Sequence, residues 1–126
     1  MISSLALACA ISASSCHSSD AVAITDAIDY ATDDDRLRAV MVVYAWHESR
    51  LQLHPRAESW DARAGRAIGP WQLWQGGTLP LEQQAVTWLQ LVERQGIVGV
   101  DSSERRAFRR LRFAERLLSL ANHESL

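Results

Sequence analysis

The sequence predicts one compact, mainly α-helical domain. Three observations predict it. Apolar residues recur at helical spacing in four stretches, separated by polar breaks. No stretch alternates apolar and polar residues over the length of a strand. Proline and glycine gather mainly between Pro55 and Pro80, so the helix breakers fall in one irregular loop.

The chain has 126 residues, 48% of them hydrophobic, which is enough for a single domain with a modest core. A net charge of −2 and the lack of any nucleic-acid-binding motif argue against a DNA or RNA partner. The charge is uneven. Asp20, Asp26, Asp29, Asp33, Asp34 and Asp35 make the first third acidic, and Arg105, Arg106, Arg109, Arg110, Arg112 and Arg116 make the last helix basic. That basic run reads as a solvated face whose long stems cover apolar surface; the alternative is a contact with anionic wall polymers.

Residues 1–19 have three readings. An apolar run from Leu5 to Ala13 resembles the core of a secretion signal, but no positive residue precedes it. Otherwise the segment is a first helix, or the true start lies upstream. The run falls short of the ~20 apolar residues that span a bilayer. Cys9 and Cys16 stand seven residues apart, roughly 10 Å along a single helix, so a disulfide is not expected if one helix holds both.

Residues 20–126 form the domain proper. Residues 20–31 suit a helix with Ala23, Ala27 and Tyr30 on one side. Thr32 or Asp33 can cap the next helix, over about 34–48, where Leu37, Val40, Met41, Val42, Val43, Tyr44 and Trp46 are apolar almost all round. Such a helix belongs in the middle of the core. Residues 51–79 are irregular. Pro80 opens a helix with Leu81, Ala85, Trp88, Leu89 and Val92 inward and Gly96 at its end. Ile97 to Val100 is the best strand candidate, and it is short. Asp101 with Glu104 suggests a capping box for a last helix to about residue 121, with Ala107, Phe108, Leu111, Ala114, Leu117 and Leu118 inward.

The chemistry gathers around Glu48. It ends the most apolar helix, and an acid kept protonated by apolar surroundings can deliver a proton to a glycosidic oxygen. About twenty residues on, Gly69-Pro70-Trp71-Gln72 forms a tight turn that carries an amide able to donate and accept toward sugar hydroxyls. Trp60, Trp71 or Trp74 can supply a flat apolar face for a sugar ring, or can serve as core. Asp61 and Glu58 are the candidates for a second carboxylate. His47 and His54 do not have the spacing of a zinc-protease helix motif, and no metal or cofactor is expected.

Glu48-Ser49, Pro55, Ser59 and Gly69-x-x-Gln72, in that order, resemble the first active-site motifs of the lytic transglycosylase and goose-type lysozyme group. The resemblance covers roughly residues 36–95. It implies a lysozyme-like helical fold with an irregular Trp/Gly-rich active-site loop, acting on peptidoglycan glycan strands outside the cytoplasm or as part of a phage. It implies Glu48 as the catalytic acid, Gln72 in the glycan groove, and Ser49 and Ser59 as supports. Trp71 and Tyr44 are further candidates, Tyr44 because it lies one turn before Glu48. A monomer is expected. The chain departs from the group's pattern twice: no later Ala-Tyr-Asn follows, and Pro70-Trp71 replaces the usual Leu-Met. A glycan-binding or structural domain without activity is the alternative.

Overall fold

The structure, a computed structural model, describes residues 1–53, 67–74 and 79–124. Among these residues five helices surround one core: α1 (Ser4–Ile11), α2 (Ser19–Ala31), α3 (Asp35–Ser49), α4 (Leu81–Asp101) and α5 (Glu104–Glu124). A 3₁₀ turn, Ala13–His17, joins α1 to α2. Two short antiparallel strands, β1 (Ala67–Ile68) and β2 (Leu73–Trp74), pair Ala67 with Trp74 and Ile68 with Leu73. They close the glycine turn into a hairpin, a pairing the sequence pattern does not announce.

α3 is the central helix. Ala39, Val40, Met41, Val42, Val43, Tyr44 and Ala45 are all buried, so side chains on every face of its middle turns meet protein. α5 packs along one side of it, and α1 and α2 pack against others. Its N-cap is Asp34, not Thr32 or Asp33: the Asp34 carboxylate accepts from the Leu37 N–H at 2.9 Å. Thr32 instead accepts from the Asp34 N–H.

The N-terminal segment is part of this core. Leu7 and Ala8 are fully buried. Asp29 accepts from both the backbone N–H and the hydroxyl of Ser4, and Asp35 accepts from the Ile2 N–H. The Arg38 guanidinium, itself buried, donates to the carbonyls of Ile2, Asp29 and Thr32. Much of the acidic first third therefore holds backbone in place. No helix among the described residues is long and apolar enough to cross a membrane.

Five sequence expectations need correction. Cys9 and Cys16 form a disulfide, with Cα atoms 5.2 Å apart. The two do not share a helix, because α1 stops at Ile11 and the 3₁₀ turn folds Cys16 back onto it. α2 buries Ala21, Ile24, Thr25, Ala27 and Ile28, and Tyr30 is 73% exposed. The helical stripe thus sits one step away from Tyr30. Residues 97–101 are helical: α4 breaks at Gly96, where φ is 74°, and then resumes. Ser103, not Asp101, caps α5, accepting from the Arg106 N–H. Phe108 is half exposed, and Phe113 packs against the core instead.

Candidate active site

α3 ends at Ser49 because Arg50 and Leu51 turn into the left-handed region, at φ 55° and 57°. The Ser49 hydroxyl donates back to the Ala45 carbonyl at 2.8 Å and accepts from the Gln52 N–H. Ser49 therefore ties down the helix end, and with it the backbone from which Glu48 projects on the last turn.

Glu48 does not lie in the apolar enclosure that the sequence suggests. Its side chain is 34% exposed and pairs with Arg110 at 2.9 Å. Arg110 comes from the facing turn of α5 and lays its guanidinium over the Tyr44 ring, 4.9 Å from the centroid. The aromatic contact and the pairing together hold the arginine head at Glu48.

Behind this pair lies a buried polar cluster. Asp101 has no exposed side-chain surface. It accepts from the Tyr44 hydroxyl at 2.5 Å and from Arg106 Nε at 2.5 Å, and Arg110 stands 3.7 Å away. Arg106 also donates to the Asp101 carbonyl. Tyr44 does not touch Glu48 directly; it faces Asp101. Burial, together with the bond to Asp101 and its charge, pushes the Tyr44 phenol well above the ordinary tyrosine value, and Arg110 opposes the shift only in part. The phenol is thus a fixed neutral donor.

The glycine turn forms a second part of the site. Gly69 adopts φ 90°, and a Cβ there would collide with Gln84 Oε1 on α4. That oxygen is buried and has no hydrogen-bond partner among the described residues. Gln72 is left-handed at φ 52°, and its amide Nε2 donates to the Gly69 carbonyl at 2.8 Å. The side chain braces its own turn and keeps its carbonyl oxygen as an acceptor. Trp71 is buried, with its indole N–H bonded to the Met41 carbonyl at 3.0 Å. It is a wedge between hairpin and central helix and does not offer an open face to a sugar.

A groove of about 610 Å³ runs between this hairpin and α4. Gln72, Leu73, Trp88, Gln95 and Ser102 help line it, with Trp71 showing part of its surface. This volume suits a small ligand or a short piece of a polymer. Trp88 also packs on Tyr44, with ring centroids 5.3 Å apart. A chain of contacts therefore leads from the groove through Trp88, Tyr44, Asp101 and Arg110 to Glu48. Glu48 itself is not among the groove-lining residues.

Of the sequence-predicted residues, Trp71 and Gln72 meet at the groove. Tyr44 and Glu48 meet only through Arg110 and Asp101. Pro55, Glu58, Ser59, Trp60, Asp61 and His54 lie outside the described residues, as does the Trp74 side chain. The sequence names Asp101 only as a cap and Arg106 and Arg110 only as part of a basic face, not as site residues. The four-residue step from Arg106 to Arg110 puts both on one helix face, but the partner that gathers them is Asp101, whose pattern reads as a cap. Comparison of the chain with protein-family models, with curated proteins and with solved structures returns no match in any of the three.

Proposed function

We propose that this domain cleaves peptidoglycan glycan strands between N-acetylmuramic acid and N-acetylglucosamine, with Glu48 as the single acid and base. The observation that carries the reading is the pairing of two features. A buried helix ends in Glu48-Ser49, and a hairpin downstream holds a left-handed Gln72 at the wall of a groove. In this reading Glu48 protonates the leaving glycosidic oxygen. The substrate's acetamido group stabilises the developing cation. The Glu48 carboxylate then takes the proton of the sugar's own C6 hydroxyl as that oxygen closes an anhydro ring. One carboxylate suffices, whereas most glycoside hydrolases use two. The disulfide fits an oxidising compartment such as the periplasm or the cell exterior.

One observation favours a second reading, a glycan-binding domain without activity. The Glu48 carboxylate is already engaged by Arg110, so proton delivery requires a bound glycan to displace that guanidinium. Clearing of purified cell walls by the wild type and by Glu48→Gln separates the two. Catalysis predicts clearing by the wild type and a loss of about a hundredfold or more in the variant, the scale of acid–base catalysis. Equal clearing by both removes Glu48 as the acid. Wall binding without clearing by either favours the inactive domain. Mass spectrometry of the products distinguishes anhydro ends from reducing ends, and so a lyase from a hydrolase.

A further inference from the structure

The end of α3 and the middle of α5 enclose another concavity, of about 380 Å³, lined by His47, Arg106, Arg109, Arg110, Arg112, Phe113 and Arg116. Arg106 is committed to Asp101 and Arg110 to Glu48. Arg109, Arg112 and Arg116 follow at three- and four-residue steps, so one helix face presents all three. Among the described residues none of the three has a carboxylate partner, and no carboxylate lines the concavity. Phe113 forms an aromatic floor. The His47 ring meets it edge-on at 6.1 Å, and Arg116 lies over it at 5.9 Å.

We propose that this concavity binds a phosphate-bearing anion, held by the guanidinium groups of Arg109, Arg112 and Arg116 with His47 as a further donor. The choice of phosphate follows from the donor set. One guanidinium fork satisfies a planar carboxylate, whereas a tetrahedral phosphate carries enough oxygens and charge to engage several forks at once. Three like charges on one face repel each other, and an anion between them turns that repulsion into attraction. The site is electropositive enough to act on its own histidine. Burial first, then Arg110, Arg50 and Arg109, hold His47 below the ordinary histidine value, and only Glu48 opposes them. Arg106, Arg112 and Arg116 line the same space. By linkage, an anion bound there raises the His47 value, and protonating His47 tightens the anion. The inference stands apart from glycan cleavage, since it uses neither Glu48 nor the groove.

The test is a proton NMR titration of His47 with tripolyphosphate as probe, on the intact chain, against sodium chloride of equal ionic strength. The proposal expects the His47 midpoint to move up further with tripolyphosphate than with chloride. Binding measured by calorimetry should gain more on lowering the pH in the wild type than in His47→Gln, a comparison that cancels the protonation of the probe itself. The Arg109→Gln/Arg112→Gln variant should bind about tenfold or more weakly, the scale of one or more lost charge-assisted contacts. Both side chains are exposed, so folding should survive; if it does not, Arg116→Gln gives the same reading. Equal shifts with chloride and tripolyphosphate would mean screening alone and overturn the proposal. So would equal binding of a tricarboxylate such as citrate. Sedimentation with phosphatidylglycerol vesicles in the absence of any tripolyphosphate response would also overturn it, by moving the contact to a lipid surface.

Discussion

Asp101 is a carboxylate removed entirely from water and enclosed by the Tyr44 hydroxyl, Arg106, and Arg110 at slightly longer range. A buried charge of this kind is costly to leave unpaired, and the cost falls on whichever partner remains. Tyr44→Phe removes one hydrogen bond to a charged acceptor and leaves both arginines in place. A loss of about 1.5–3 kcal/mol is expected. Asp101→Ala leaves the buried Tyr44 hydroxyl without its acceptor and Arg106 without its carboxylate, while Arg110 keeps Glu48, and a larger loss than for Tyr44→Phe is expected. Urea unfolding of the two variants tests the order. If Asp101→Ala proves as stable as the wild type, the cluster contributes nothing to the fold. The same residues explain why this part of the site was hard to read in sequence. Tyr44 was legible as a neighbour of Glu48 one helical turn away, but its hydroxyl is claimed by Asp101, 57 positions later. Helical spacing gives neighbours along an element and is silent on partners across elements.

The disulfide acts at the scale of a single turn. It closes a short loop across the end of α1, where Ser12 leaves the helix and the 3₁₀ turn reverses the chain. Closing a loop of seven or eight residues removes unfolded-chain entropy worth about 2.5 kcal/mol. The Cys9→Ser/Cys16→Ser variant should lose about that much in denaturant unfolding, and an unchanged midpoint would refute it. The hairpin offers a sharper comparison. Gly69 and Gly96 both have positive φ, but only Gly69 has a neighbour in the way. Gly96→Ala meets backbone strain alone, about 1–3 kcal/mol. Gly69→Ala adds a collision with Gln84, so it should lose clearly more and also disturb the Gln72 turn. Equal losses would mean that hairpin and α4 separate easily. Elements whose signal is local were legible in sequence: the all-round apolar α3, the Pro80 start of α4, the helix break at Gly96. What was not legible depends on contacts across elements. The disulfide needs a helix to stop at Ile11, which no proline or glycine marks. The inward face of α2 depends on where α1 and α4 pack, and Tyr30 lost that competition.

At the scale of the whole molecule the uneven charge divides into two structural roles. Asp29 and Asp35, with Arg38 beside them, hold the N-terminal segment at the start of α3, while the arginines of α5 face the far end of α3, where His47 sits. The consequence is a pH dependence with a definite sign. His47 is held below its unfolded value of 6.5, first by burial and then by Arg110, Arg50 and Arg109. Below pH 6.5 the unfolded chain therefore binds more protons at this site than the folded one. His47's contribution to stability is whole above that value and declines as pH falls toward the lowered folded value. His47→Gln should flatten the decline, and subtracting its pH profile from that of the wild type isolates the histidine from every other titrating group. Salt divides the two causes. At about 1 M the screening length is ~3 Å, so the arginine repulsion weakens while the burial penalty remains. The wild-type profile should then flatten partway toward that of the variant and stop short of it. Identical profiles for wild type and variant in low salt would show that His47 titrates alike folded and unfolded. A profile that salt leaves unchanged would show that burial acts alone, and that the arginine face does not reach the end of the central helix.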